Sequence, residues 1–208
     1  MDVQTLAPSP QMNTPVRGDR VARTRDAIVG SALALALAGE VAPIVRDIAK
    51  MAGVSARTVF QHFADTAELY VAVLTRVMTG MLGDAPAVDH AMSLDQRLSV
   101  LIEQHAQRGE RLLPMWTFVE TLQRRSTEAS DMMTQMYDAN RTLLSTWFER
   151  ELAALPGESR ERTLNALSMA MAPESWVVLR LRLGLGVEQA REELGFVTRA
   201  IFKGAPSA

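Results

Sequence analysis

Apolar residues recur along this chain every three or four positions, and nowhere do apolar and polar residues alternate long enough to read as a strand. The pattern predicts an all-α protein of about nine helices. Ile28, Ala32 and Leu35 form one face of a first helix that ends near Gly39. Ile48, Ala52, Val54 and Phe63 supply the shared apolar face of two short helices. Asp65 stands as the N-cap of a fourth, along which Leu69, Val73 and Val77 make a stripe. Gly80, Gly83 and Pro86 then punctuate the chain. Ser93 caps a helix with Leu94, Leu98, Leu101, Ile102 and His105 along one side, expected to end at Gly109. Further helices are expected over 113–125 and 130–155, the latter stopped by Pro156 and Gly157. Another is expected over 158–185, bent or interrupted at Pro173, and a last one from Val187 to Phe202.

This punctuation divides the chain in three. Residues 1–20, with Pro8, Pro10 and Pro15 among Ser, Thr and Gln, read as a disordered extension. Residues 21–83 carry the short helices and the fourth helix, and 84–208 form a helical bundle.

The two short helices carry the most specific spacing. Ala49 leaves room for a second helix to cross closely, Gly53 supplies a turn with positive φ, and Val59 returns to pack between them, which is helix-turn-helix geometry. Ser55 stands at the N-cap of the second helix, whose Ala56, Arg57, Thr58, Phe60, Gln61 and His62 point mostly outward. Such a face, with donors, acceptors and an aromatic ring, suits a major-groove reader.

Residues 24–74 resemble the DNA-binding domain of the TetR family of bacterial transcriptional regulators. The residues that carry the resemblance are Gly39, Ile48 with Ala49, Ala52 to Ser55, Thr58 with Phe60, His62 with Phe63, and Asp65 to Leu69. The family pattern is departed from at three places. Pro43 stands where a Thr or Ser usually caps the second helix, Phe60 replaces a Tyr, and Thr66 stands where a Lys commonly opens the fourth helix. The resemblance implies DNA contacts by Ser55, Ala56, Arg57, Thr58, Phe60, Gln61 and His62. Arg46 and Lys50 on the preceding helix, and Thr66, would meet the backbone. Arg17, Arg20, Arg23 and Arg25 form a basic segment before the first helix, expected as a flexible arm that follows the backbone or reaches a minor groove.

Charge supports a local basic surface. Residues 17–62 hold seven Lys or Arg against four Asp or Glu, in a chain of formal net charge −2. With 208 residues, 48% hydrophobic and 22% charged, the chain can bury a sizeable core. The absence of cysteine excludes disulfides, a thiolate nucleophile and Cys-based zinc. The apolar run 32–38 is too short to span a bilayer, and Asp2, Asp19 and Asp26 are unlike a secretory signal, so a cytoplasmic protein with no membrane contact is expected. The histidines at 62, 90 and 105 make no metal-ligand pair, no phosphate-cradling loop follows a strand, and acids such as Glu192 and Glu193 read as solvated helix surface. No catalysis, metal or cofactor is expected.

Two further concentrations lie in the bundle. The segment 176–185 is apolar nearly all round apart from Arg180 and Arg182, so one subunit cannot cover it. A homodimer is expected, with Trp176, Leu179, Arg180, Leu183, Phe196 and Ala200 at the interface, and the resemblance implies the same use of the last two helices. A mostly apolar cavity is expected among His105, Trp116, Glu120, Gln123, Met133, Met136, Tyr137, Asn140, Trp147, Met169 and Trp176. The combined expectation is a dimeric repressor of a palindromic operator, released by a small apolar or amphipathic effector. The alternatives are a helical protein-interaction module and an architectural DNA binder without small-molecule induction.

Overall fold

A computed structural model describes residues 17–83, 89 and 91–204. Among them every regular element is helical: α1 Arg17–Leu37, α2 Val45–Ala52, α3 Ala56–His62, α4 Thr66–Gly83, α5 Leu94–Leu112, α6 Trp116–Arg125, α7 Thr127–Trp147, α8 Glu149–Ala153, α9 Gly157–Ala170, α10 Pro173–Val177 and α11 Val187–Gly204. A single 3₁₀ turn joins α5 to α6, and a wide π-type turn over Val178–Arg182 follows α10.

The ends of these helices follow from local chemistry. Gly53 closes α2 with φ of 69°, and the Val54 N–H reaches the Ala49 carbonyl at 3.0 Å. Ser93 and Gln96 make a reciprocal capping box at the start of α5. Ser126, earlier than expected, caps α7 by accepting from the Ala129 N–H at 3.2 Å.

Four expected elements differ. The segment expected as a flexible basic arm is helical from Arg17 onward. Arg23 Nε donates to the Asp19 carbonyl at 3.2 Å and the Thr24 hydroxyl to the Arg20 carbonyl at 2.9 Å, bonds made along a helical turn. Of the expected disordered extension, 1–16 lie outside the described residues. Helix α5 runs through Gly109 to Leu112. The helix expected over 130–155 breaks after Trp147, because Trp147 and Phe148 are both fully buried and the buried Arg97 guanidinium donates to the freed Trp147 carbonyl. Phe148 then stacks at 5.0 Å on Phe202. The interruption near Pro173 falls at Met171 and Ala172, with Pro173 as the first residue of α10, where its missing N–H leaves no bond unmade.

The apolar residues gather in two cores. The first joins α1 to α4 with Leu112, the 3₁₀ turn, α6 and the start of α7. Thus Ile28, Ile48, Val59, Phe63 and Leu74 pack in one cluster with Trp116, Phe118 and Met133. The second joins α5, the end of α7 and α8 to α11 around Trp147, Trp176 and Leu167. The two short helices are therefore continuous in packing with residues beyond the expected boundary at 84, which itself lies outside the described residues.

Candidate nucleic-acid interface and seam cavity

Helix α3 is anchored on one side and bare on the other. Val59 is buried between α1, α2 and α4. The Ser55 hydroxyl accepts from the Thr58 N–H at 3.0 Å and lies 2.8 Å from the Thr58 hydroxyl. Ala56, Arg57, Phe60 and Gln61 are exposed, and Phe60 shows 52% of its surface. Thr58 and His62 are half-buried, so Arg57, Phe60 and Gln61 make up most of the projecting chemistry.

The far end of α3 is held by Arg25, which the sequence suggested only as part of a basic arm. Its Nη1 donates to the His62 carbonyl at 2.7 Å, its guanidinium lies 4.0 Å above the Phe63 ring, and its Nη2 is 3.7 Å from Glu68. Glu68 also accepts from the Ala64 N–H at 2.7 Å, while Asp65 accepts from the Glu68 N–H at 2.9 Å. One cation thus ties α1 to the end of α3 and the first turn of α4.

The remaining predicted contacts flank this face. Arg46, beside Asp47 at 3.4 Å, and Lys50 are exposed on α2, Arg23 is exposed on α1, and Thr66 is half-buried at the start of α4. Pro43 serves the fold, since its carbonyl accepts from the Tyr70 hydroxyl at 2.7 Å and fixes the α1–α2 loop to α4.

A second candidate site lies at the seam between the two cores. A cavity of about 170 Å³ is lined by Met78 of α4, His105, Arg108, Gly109 and Leu112 of α5, Met136, Tyr137, Ala139, Asn140 and Leu143 of α7, and Met171 and Pro173 between α9 and α10. Met78, Leu112, Met136 and Tyr137 pack with the first core, and Leu143 and Met171 with the second. Of the residues expected in a cavity, His105, Met136, Tyr137 and Asn140 stand in this wall. Trp116 and Met133 are buried in the first core and Trp147 in the second, because large apolar side chains fill those interiors. Glu120 and Gln123 are half-buried on α6 away from the wall, and Met169 is 69% exposed.

Trp176 stands directly behind the wall. It is fully buried, and its indole lies across Gly109, where an added Cβ would sit 2.2 Å from the ring. Its Nε1 donates to Glu110 at 2.9 Å, and Arg180 Nε reaches the same carboxylate at 2.7 Å. The Arg180 hydrogen bond, and then that of Trp176, holds the Glu110 carboxyl below its ordinary value.

His105 meets Trp176 edge to face at 6.0 Å, and its Nε2 is sealed from solvent with no hydrogen-bond partner. Burial, then the nearby Arg108 charge, lowers the imidazole pKa to about 4, so it is neutral at pH 7. The Tyr137 hydroxyl donates to Glu174, and burial, then that carboxylate, raises its pKa.

Missed by sequence reasoning were Met78, Arg108, Gly109, Leu112, Ala139, Leu143, Met171 and Pro173. Gly109 carried a readable signal. A glycine inside a helix is costly relative to alanine and marks a close approach, whereas punctuation by glycine alone places the helix end there.

An exposed apolar set remains on the π-type turn and α11. Of the expected dimer residues, Leu183 and Phe196 are 62% and 70% exposed and Ala200 is exposed. Trp176 is interior, Leu179 packs on the second core, and Arg180 is engaged with Glu110. Val178, Leu181 and Val197 are also exposed. No helix among the described residues is long and apolar enough to cross a membrane.

Residues 34–73 match the family model of bacterial regulatory proteins, tetR family. The whole fold is similar to that of a transcriptional regulator from Rhodococcus sp. Rha1, at 18% identity over 90% of this chain and 98% of that one, with a TM-score of 0.67. A tetR-family transcriptional regulator from Streptomyces coelicolor is similar at 15% identity over 89% and 90% of the two chains, with a TM-score of 0.62. MexZ of Pseudomonas aeruginosa, described as a key repressor responsible for antibiotic resistance, is similar at 18% identity over 89% and 96%, with a TM-score of 0.56. No curated protein matches the sequence.

Proposed function

We propose that this chain, whose residues 34–73 match the model of bacterial regulatory proteins, tetR family, is a ligand-responsive repressor that binds a palindromic operator as a homodimer. The observation that carries the reading is α3 itself. It is fixed by the buried Val59, the Ser55 cap and the Arg25 clamp, while Arg57, Phe60 and Gln61 stand in solvent.

In this reading Arg57 and Thr58 meet base edges or flanking phosphates. Phe60 packs on a sugar or thymine methyl, Gln61 and His62 reach phosphate or base, and Ser55 and Ala56 lie at the backbone. Arg46, Lys50, Thr66 and Arg23 hold phosphates around them. Leu183, Phe196 and Ala200, with the neighbouring exposed apolar side chains, form the surface that a second copy covers. Two such subunits would set their α3 helices about 34–36 Å apart, one turn of duplex.

Release follows from α4. Met78 lies in the cavity wall and Glu68, ten residues earlier on the same helix, joins the clamp on α3. The two positions are about 15 Å apart along a rigid rod. An effector that prefers a tilted α4 therefore moves the reading heads off the groove spacing.

The test is a gel shift on the DNA flanking the protein's own gene, with random duplex as competitor. Specific, salt-sensitive binding that weakens in Arg57→Ala by ten- to a hundredfold is expected, since a bidentate base contact is worth about 1–3 kcal/mol. Unchanged affinity and sequence preference in Arg57→Ala would remove that residue from base reading. Equal binding to random duplex would leave an architectural role, and no DNA binding a protein-interaction role.

A further inference from the structure

The seam cavity carries enough chemistry to say what class of molecule fits it, and the inference rests on the effector site proposed above. Its size comes first. A cavity of about 170 Å³ is close to the ~150 Å³ of an engineered apolar cavity that holds benzene. The space suits one six-membered ring.

The walls select the ring's character. Met78, Met136 and Met171 come from three different parts of the fold. Thioether sulfur favours aromatic edges over aliphatic ones.

Charge is the third constraint. Arg108 bears a positive charge on one side of the cavity and is already engaged in an interaction. Glu174, next to the wall residue Pro173, bears a negative charge and accepts the Tyr137 hydroxyl. A cation would meet the first and an anion the second, and either would lose its hydration on entry. A neutral ligand avoids both costs.

His105 is a polar group of the wall with an unused ring nitrogen. The His105 imidazole lines the cavity, its Nε2 lacks a partner, and it stays neutral at pH 7. A neutral imidazole offers one donor and one acceptor nitrogen. A hydroxyl can satisfy either, whereas a carbonyl or an amine-free ether satisfies only one.

We infer that the cavity takes an uncharged single-ring aromatic bearing a hydroxyl, a phenol in chemical class, with its ring among the three methionines and the His105 imidazole turning to bring its now sealed Nε2 to the hydroxyl.

The experiment is titration calorimetry on the full-length protein with phenol, toluene, cyclohexanol and benzoate. Phenol is expected to bind tightest. Toluene, which matches the ring but lacks the hydroxyl, should bind about tenfold more weakly, because it leaves the imidazole unsatisfied. Cyclohexanol and benzoate should be weaker than phenol, for want of an aromatic edge and for excess charge. His105→Phe should bring phenol and toluene to equal affinity by weakening phenol alone. The selectivity of the unmodified protein stands as a test even if that variant does not fold.

The assignment is overturned if benzoate or cyclohexanol binds better than phenol, if toluene equals phenol in the unmodified protein, or if none of the four binds. Calorimetry without DNA keeps this result separate from gene control. Phenol binding with the expected selectivity but no effect on the operator complex supports the ligand class and overturns only ligand-responsive release.

Discussion

The Trp176 indole approaches the Gly109 backbone too closely to leave room for a Cβ, and Gly109→Ala tests whether the indole is held there as described. A Cβ at this position would lie 2.2 Å from Trp176 Cδ1, 2.4 Å from Cγ and 2.7 Å from Nε1. Ordinary carbon contacts lie at about 3.5–4.0 Å, so the ring must retreat by more than an ångström. The indole is rigid and fully buried, and its retreat strains the 2.9 Å bond to Glu110. Overpacking costs about 1–3 kcal/mol, and losing a hydrogen bond to a charged acceptor about 1.5–3 kcal/mol. Alanine regains about 1 kcal/mol over glycine in a helix interior. The net expectation is a loss of about 1.5–5 kcal/mol, or roughly 3–20 °C in melting temperature for a chain of this size.

Denaturant titration followed by circular dichroism measures the first quantity and a thermal melt the second. The sharper readout is the sign in a second background. With Trp176→Ala the clash is gone and only the helix preference remains, so adding Gly109→Ala there should stabilise by up to about 1 kcal/mol. A neutral or stabilising Gly109→Ala in the unmodified protein, or a cost that persists without the indole, would refute the packing argument.

Ser55→Ala should cost about 1 kcal/mol, speed amide exchange at Thr58 and weaken operator binding, because α3 is short and loses its N-terminal side-chain cap. Arg25→Met should lower operator affinity several-fold while leaving its salt dependence unchanged. A salt slope reduced by about one unit would instead make Arg25 a phosphate contact. Stability should fall as the pH drops from 6.5 towards 4, because the folded His105 pKa of about 4 lies below the ordinary 6.5 and the unfolded chain takes up the proton first. The slope approaches about 1.4 kcal/mol per pH unit. His105→Phe should remove it in urea midpoints across that window, whereas the loss from the Glu110 carboxyl, shifted down from 4.5, sets in only as the pH falls to about the unfolded value of 4.5.

The reading head was legible because its determinants are local. Gly53 with positive φ, the Ser55 cap and the buried Val59 lie within seven residues of one another and do not depend on the rest of the chain. The cavity was legible only in part, because helical spacing shows which residues share a stripe and not which of two cores the stripe meets. Met133 and Met136 are one turn apart on α7, yet Met133 is 2% exposed in the first core and Met136 stands in the cavity wall. Trp147 lies further along the same stripe and belongs to the second core. Met78 could not be paired with α7 from sequence, since the segment between them folds back through α5 and α6. The helix breaks are tertiary in the same sense: the one after Trp147 depends on Arg97, fifty positions away.

Placing the cavity at the seam determines what filling it can do. A ligand inside one well-packed core would stabilise the whole subunit and bias no particular arrangement, since equal affinity for two states shifts neither. A ligand between two cores touches Met78 and Leu112 on one side and Leu143 and Met171 on the other, so its affinity depends on how the cores sit against each other. A hundredfold fall in operator affinity needs a difference of about 2.7 kcal/mol between the two arrangements. A phenol-sized molecule has seven heavy atoms, and the best small ligands gain up to about 1.5 kcal/mol for each. About a quarter of that ceiling, expressed differentially through α4, suffices. The Arg25 clamp is where the motion would arrive, because Glu68 can follow α4 only by pulling on the group that holds the last carbonyl of α3.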